Sequence, residues 1–346
     1  MKYLKELSEI YGASGNETEV RKFIKAKVLE SKKIDYIKED HLGNLMCLKK
    51  GKNQNKTLLL MAHMDEVGLM VSDIDEDGRL CVQAVGGVDK RVLLGKRVAV
   101  GKENIEGVIP FKAIHLQNSE ATAVPSWDSI RVDIGSADRK ESETKVQIGD
   151  YCHFKTVFEE YENRVIGKAF DDRAGCSVML DILEAMDDLP YYNLVFAFVV
   201  QEENGLRGSG AVLKHFNADA ALVLEGTTAG DNPELKRERW STHLDNGPAI
   251  SYLQSGYVID RRLFTAIIDT AERLELPHQL KGRTVGSTDT TRTAKSFYGI
   301  PGAVINVPSR YIHSPVCVMS KEDYKNTVKL VKDIVMNEIF LKSLEV

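Results

Sequence analysis

The stretch NLVFAFVVQEENGLRG, residues 193–208, is nearly all apolar until it delivers Glu202 and Glu203 side by side into a glycine-bearing turn. Adjacent carboxylates repel, and so apolar a strand is predicted to be buried on both faces. A positive charge at its end would resolve the conflict. Other groups able to hold a cation stand at the ends of other apolar runs: His63 and Asp65 in LLLMAHMDEVG, Glu225 in ALVLEGTTAGD, and His313 in VPSRYIHSP. Asp171 and Asp172, in GKAFDDRAGCS, precede a predicted helix that begins near Ala174. Singly, each has an ordinary explanation. A histidine after a strand usually serves a hydrogen bond, an Asp pair before a helix caps it, and a Glu pair belongs to a solvated turn. Their joint appearance at strand ends, where open α/β sheets bind ligands, favours a site.

In an extended segment residues two apart point the same way, so Asp65 can hold the His63 imidazole and raise its basicity as a metal ligand. One carboxylate of the 202–203 pair can coordinate a cation while the other stays free to take a proton from attacking water. Two imidazoles and three carboxylates exceed the three protein ligands of a single catalytic zinc. Two divalent cations sharing a bridging carboxylate fit the inventory better. The nitrogen and oxygen donors suit zinc, cobalt or manganese, and none of these candidate ligands is a cysteine to favour a thiolate metal.

Such a constellation needs a sheet to carry it. Apolar runs in KTLLLMAHMDE, NLVFAFVVQEE, ADAALVLEG and GIPGAVINVPS read as strands. They alternate with helical spacing in GNETEVRKFIKAKVLESKK, GCSVMLDILEAM, GLRGSGAVLKHF, YVIDRRLFTAIIDTAERLEL and SKEDYKNTVKLVKDIVMNEIFLKSL. Asn16 with Glu19 suggests a capping box for the first of these helices, and Ser320 with Asp323 caps the last. The alternation predicts an α/β fold with a mostly parallel sheet flanked by helices. From about Val67 to Glu162 the helical period disappears, and short β-like stretches recur between DG, GG and similar turns. This segment is read as an inserted β-rich module, 67–162, inside a discontinuous domain made of 1–66 and 163–346.

Composition bounds the rest. A net charge of −5, without a basic stripe, argues against nucleic acid as a partner. No apolar run reaches the roughly 18 residues of a membrane span, and the first residues, MKYLKELSEIYGASG, lack the apolar core of a signal peptide. Five scattered cysteines without a CxxC pair fit reduced thiols and a cytoplasmic location.

AHMDEVG, VGGVD, GKAFDDRAGC, QEENGLRG, TTAGD and RYIHSP, in this order, resemble the tetrahedral aminopeptidases, a family of dinuclear metallopeptidases. That family includes glutamyl aminopeptidases and proteins labelled endoglucanase CelM. The resemblance spans the chain from its first amphipathic helix to its last. It implies that His63 and His313 each hold one metal, that Asp171 bridges the pair, and that Glu203 and Glu225 complete the two spheres. It further implies Glu202 as general base, with Asp65 orienting His63. The inserted module becomes a β-barrel-like dimerisation domain, short peptides become the substrates, and a homo-oligomer built from dimers, a dodecamer, becomes the assembly.

Three positions depart from that family's usual pattern. Glu225 stands where many members carry Asp, GSTDTT at 286–291 replaces GGTDA, and Asn204 replaces a small apolar residue. Ser287, Asp289 and Arg310 are the candidate substrate contacts. The Glu225 departure keeps a metal-dependent deacylase or carboxypeptidase as the alternative. An endoglucanase ranks lower, because two sequence-adjacent glutamates do not easily straddle a sugar and the histidines would lack a role. A non-catalytic assembly protein ranks last, because a decayed site should have lost some of the set. His115 in the inserted module, Trp127, Trp240 and the turn KRERW at 236–240 are read as structural or solvated.

Overall fold

The computed structural model describes residues 1–113, 115, 124–232, 235–282, 286–296 and 299–345. Four apolar runs lie at the centre of one sheet. Tyr192–Val199, Asn53–His63, Ala220–Thr228 and Gly302–Arg310 pair in that order, all parallel. They are buried on both faces where they are most apolar, so their sequences run without polar alternation. Antiparallel strands extend the sheet on both sides. Leu45–Lys49 and Tyr36–Glu39 lie beyond Tyr192–Val199, and Cys317–Ser320, Arg164–Gly167 and Glu159–Glu160 beyond Gly302–Arg310. The α/β expectation holds, with the four long parallel strands in the middle.

Phe170–Glu184 packs on the central strands and is buried along most of its length, because Thr18–Ser31 and Lys321–Met336 cover it in turn. Its Arg173 is fully buried. The guanidinium donates to the carbonyls of Met64 at 2.6 Å, Leu7 at 2.5 Å, and Ile10 and Gly12 at 3.1 Å. A buried charge is tolerable when its donors are spent in this way, and here they tie the N-terminal segment to the residue after His63. Arg261–Arg273 lies against Lys321–Met336, while the short helices Arg207–Val212 and Thr290–Ala294 touch each other.

Between Gly68 and Phe154 the described residues form a second sheet, of six antiparallel strands. Its order is Ile105–Val108, Arg97–Val100, Tyr151–Phe154, Gly68–Ile74, Leu80–Val85, Arg131–Val132. Val108 and Asp133 exchange backbone hydrogen bonds of 2.9 and 2.8 Å, bringing the two end strands together into a nearly closed barrel. The barrel has its own core, with Leu69, Val71, Leu80, Val98, Val132 and Phe154.

Two capping expectations need correction. Thr18–Ser31 has Glu17 as its N-cap residue and no side-chain cap, so the Asn16–Glu19 box is not formed. The Asn16 amide instead meets His153 Nε2 at 3.1 Å. At Lys321–Met336 Ser320 does cap, but the Asp323 carboxylate turns away to accept N–H groups of Asp245 at 2.8 Å and Gly247 at 2.7 Å. A nearby tight turn with unpaired donors claims the carboxylate first. Among the described residues no helix is long and apolar enough to cross a membrane.

Candidate metal centre

Register brings the candidate ligands level. Val199 pairs with His63, and Val223 pairs with Met61, so Glu225, two residues on, lies level with His63. The sequence suggests that Glu225 follows its strand; the strand instead continues to Thr228 and holds Glu225 within the ladder, opposite Asn306. Glu202 and Glu203 come just past Val199, and His313 comes three residues past Arg310. Asp171 arrives from the start of Phe170–Glu184, against the strand that carries Glu225. A Cβ on Gly226 would lie 2.6 Å from the Asp171 Cα, so only glycine permits this approach.

Asp171 presents its two oxygens to different imidazoles. Oδ1 is 3.2 Å from His63 Nε2 and Oδ2 is 3.4 Å from His313 Nε2. Glu225 Oε2 lies 3.5 Å from His63 Nε2, and Glu203 Oε1 lies 3.3 Å from His313 Nε2. Glu202 Oε2 is 4.0 Å from His63 Nε2. Two three-donor groups result, His63–Asp171–Glu225 and His313–Asp171–Glu203, with Asp171 in both. A third group, His63–Glu202–Glu203, crosses between them.

Burial without a cation leaves these charges in conflict. Burial pushes Glu203 up to about 8 and Glu225 up to about 7, with the charge of Asp171 adding to both. Burial also raises Glu202 well above the carboxylate range, and neighbouring Glu225 and Asp289 add to it. Burial would lower His313, but Asp171 and Glu203 overcome it and hold the imidazole at about 9. His63 is likewise raised against its burial, by Asp171, Asp65 and Glu225. Asp171 is lowered, because two imidazoles outweigh its desolvation.

Asp65 does more than stand behind His63. Its Oδ1 is 3.4 Å from His63 Nδ1, but the closer partner of that nitrogen is the Asp65 carbonyl, at 3.1 Å. The carboxylate also accepts the backbone N–H of Glu202 at 2.9 Å and of Glu203 at 3.1 Å. His313 Nδ1 faces the carbonyl of Gly87 at 3.0 Å, which explains the VGGVD motif. Asp172, not a donor in these groups, accepts N–H bonds from His63 at 3.3 Å and Gly175 at 2.9 Å.

A cavity of about 700 Å³ opens over the cluster, lined by Asp171, Glu202, Glu203, Glu225 and His313 among others. Ser287 lines it, as the sequence suggests. Asp289 and Arg310 do not. Asp289 is buried, and its carboxyl is raised to about 6 by that burial. The Arg310 guanidinium is held by Asp231 through two bonds of 2.7 and 2.6 Å, so its donors serve the loop. Two cations absent from the sequence-derived candidates do reach the cavity, Lys281 and Arg239. Arg239 belongs to the KRERW turn. Among the described residues the Lys281 ammonium has no hydrogen-bond or ion-pair partner, and burial lowers its pKa, with Glu225 and Asp171 opposing. Neither carried a spacing signal; only loop geometry brings them in.

The donor set fits divalent cations on a further ground. Glu225 Oε1 is buried without a hydrogen-bond partner among the described residues, the state of a ligand atom whose partner is an ion.

A model of the M42 glutamyl aminopeptidase family matches residues 43–330. The glutamyl aminopeptidase of Lactococcus lactis is 29% identical over 347 residues, covering 96% of this chain and 94% of its own. The aminopeptidase structure from Desulfurococcus kamchatkensis superposes with a TM-score of 0.93 at 31% identity, covering 100% of this chain and 97% of that one. An endoglucanase structure from Thermotoga maritima gives 0.82 at 43%, with 98% of each chain covered. The TET1 peptidase of Pyrococcus horikoshii, which can assemble into a tetrahedron or a large octahedral shell, gives 0.86 at 28%, with 97% and 99% covered.

Proposed function

This chain belongs to the M42 glutamyl aminopeptidase family and is a metal-dependent aminopeptidase, and on that premise we propose how its residues do the work and on which peptides. His63, Asp171 and Glu225 hold one divalent cation, and His313, Asp171 and Glu203 a second, zinc or cobalt foremost with manganese as a further candidate. The division of the two Asp171 oxygens between the imidazoles is the observation that supports this most strongly. When bound, the cations would supply Lewis-acid polarisation of the scissile carbonyl, more acidic water, and positive charge that keeps Glu202 ionised despite its burial.

The protein's own groups then divide the work. Glu202 is the base: it takes a proton from water as the water oxygen attacks the scissile carbonyl carbon. It returns that proton to the leaving amine as the C–N bond breaks, so it ends as it began. The free α-amine of the substrate sits among the carboxylates at the cavity floor. Lys281, with its ammonium unpaired among the described residues, favours peptides that begin with Glu or Asp, because an acidic side chain completes a buried ion pair. Arg239 at the rim adds to that field.

Residues 67–162 form the dimerisation domain of a homo-oligomer, a dodecamer built from dimers. The shells described for the Pyrococcus horikoshii relative and the exposed Phe111, Ile148 and Val157 support this. A glycosidase reading, invited by the endoglucanase name, requires two carboxyl groups about 5–10 Å apart across a sugar and gives the imidazoles no task. Chelation followed by addition of zinc, cobalt or manganese, assayed on free and N-acetylated peptides, tests the proposal. Loss, rescue and a strict need for the free amine support it; activity that survives chelation, or equal cleavage of N-acetylated peptides, contradicts it.

A further inference from the structure

The backbone turn that carries Glu202 is held by a segment, residues 14–17, that lies outside the motifs carrying the family resemblance. Gln201, immediately before the base, has φ +54°, in the left-handed region that a non-glycine residue occupies only when its surroundings impose it. Its N–H donates to Glu17 Oε1 at 3.0 Å, and the same oxygen accepts the N–H of Gly15 at 2.8 Å. Ser14, next to Gly15 in the chain, donates its hydroxyl to Asp65 Oδ2 at 2.5 Å, the oxygen that also accepts the N–H of Glu203. Tyr151 of the barrel donates to the Ser14 carbonyl at 3.0 Å. Ser14 and Glu17 are both buried. Residues 14–17 thus meet the turn 201–203 through one carboxyl directly and through Asp65 once more.

We propose that Glu17 and Ser14 are positioning residues that hold the turn Gln201–Glu203 so that Glu202 faces the cavity. The inference rests on Glu202 being the base. Glu17 touches neither substrate nor the proposed ligands; it acts through the Gln201 N–H. Burial, with the Asp65 charge next, raises its carboxyl to about 7. A neutral acceptor therefore serves the same geometry, and Gln in its place should keep the turn.

The test compares Glu17→Ala, Glu17→Gln and Ser14→Ala in the metal-loaded protein, with metal content and KM measured beside kcat. Misplacing a catalytic group by about 1 Å can cost on the order of 100-fold, so Glu17→Ala should lower kcat about tenfold or more. KM and bound metal should stay as in wild type, and Glu17→Gln should restore most of the rate. Ser14→Ala should show the same split in milder form, and it carries the test if Glu17→Ala does not fold. Crystals of metal-free Glu17→Ala should show Gln201 out of the left-handed region. Wild-type kcat in Glu17→Ala and Ser14→Ala, or an equal loss in Glu17→Gln, overturns the proposal. So does an unchanged Gln201 backbone. Glu202→Gln separates the two levels. If it turns over normally the base assignment falls; if it is inactive while Glu17→Ala is normal, only the positioning role falls.

Discussion

The Asp65 carboxylate accepts the backbone N–H of Glu202 at 2.9 Å. One side chain, two residues after His63, therefore sets both the imidazole and the turn that delivers the glutamate pair. Asn in its place can accept at one oxygen only. Asp65→Asn should lower activity or metal affinity about 10–100-fold, the usual cost of losing such a supporting carboxylate. Metal titration and steady-state kinetics on the same preparation would reveal it, and unchanged values for both would leave Asp65 without this role.

Glu202 Oε2 lies 4.0 Å from His63 Nε2, farther than the Asp171 or Glu225 oxygens. A base should be dispensable for holding metal and indispensable for turnover. Glu202→Gln is predicted to retain bound metal while kcat falls by about 10²–10⁴, the contribution typical of general acid–base catalysis. Elemental analysis read beside kcat decides, because a variant that loses metal in proportion to rate would make Glu202 a ligand.

Lys281 gives a prediction about which peptides are cleaved. Hydrogen bonds to a charged group contribute about 1.5–3 kcal/mol, on the order of 10–100-fold. Lys281→Met should lose about that much kcat/KM on glutamyl and aspartyl substrates and little on leucyl ones. Equal losses on both would assign the lysine to general structure.

His153 predicts how stability responds to acid. It is buried between the rings of Tyr11 and Tyr151, with centroids 5.0 and 5.8 Å away. Burial lowers its pKa from 6.5 to about 4. Below pH 6.5 the unfolded chain takes up a proton that the folded chain refuses, so this term stabilises at neutral pH and is lost as pH falls towards 4. Denaturant unfolding at neutral pH and near pH 4.5 should show His153→Phe losing about 2–3 kcal/mol less stability than wild type over that interval. Parallel losses in both proteins would mean that the imidazole is already charged when folded.

Strand ends were the legible part of this site. Apolar runs without alternation, such as LLLMA at 58–62 and VFAFV at 195–199, announce buried parallel strands, and the polar residues after them lie over the sheet. His63, Glu202, Glu203, Glu225 and His313 could be picked out on that ground, with Asp171 from the helix start. Partner choice among charged loop residues was not legible. Arg310 beside His313 looks like a substrate contact, yet Asp231, 79 residues away, holds its guanidinium through Nε and Nη2. Lys281 sits in an unremarkable HQLKGRT and enters the cavity only because Gln279–Leu280 pairs with Ala249–Ile250. Asn16 looked like half of a capping box, but a histidine from the barrel claims its amide. Each miss is a long-range contact competing with a short-range rule, and the short-range rule is worth only about 1 kcal/mol.

Anomalous diffraction from crystals of the zinc-loaded protein addresses the shared role of Asp171 most directly. Two peaks per chain are predicted, one beside His63 and Glu225 and one beside His313 and Glu203, with Asp171 between them. A single peak, or ions bound away from these side chains, would contradict the account.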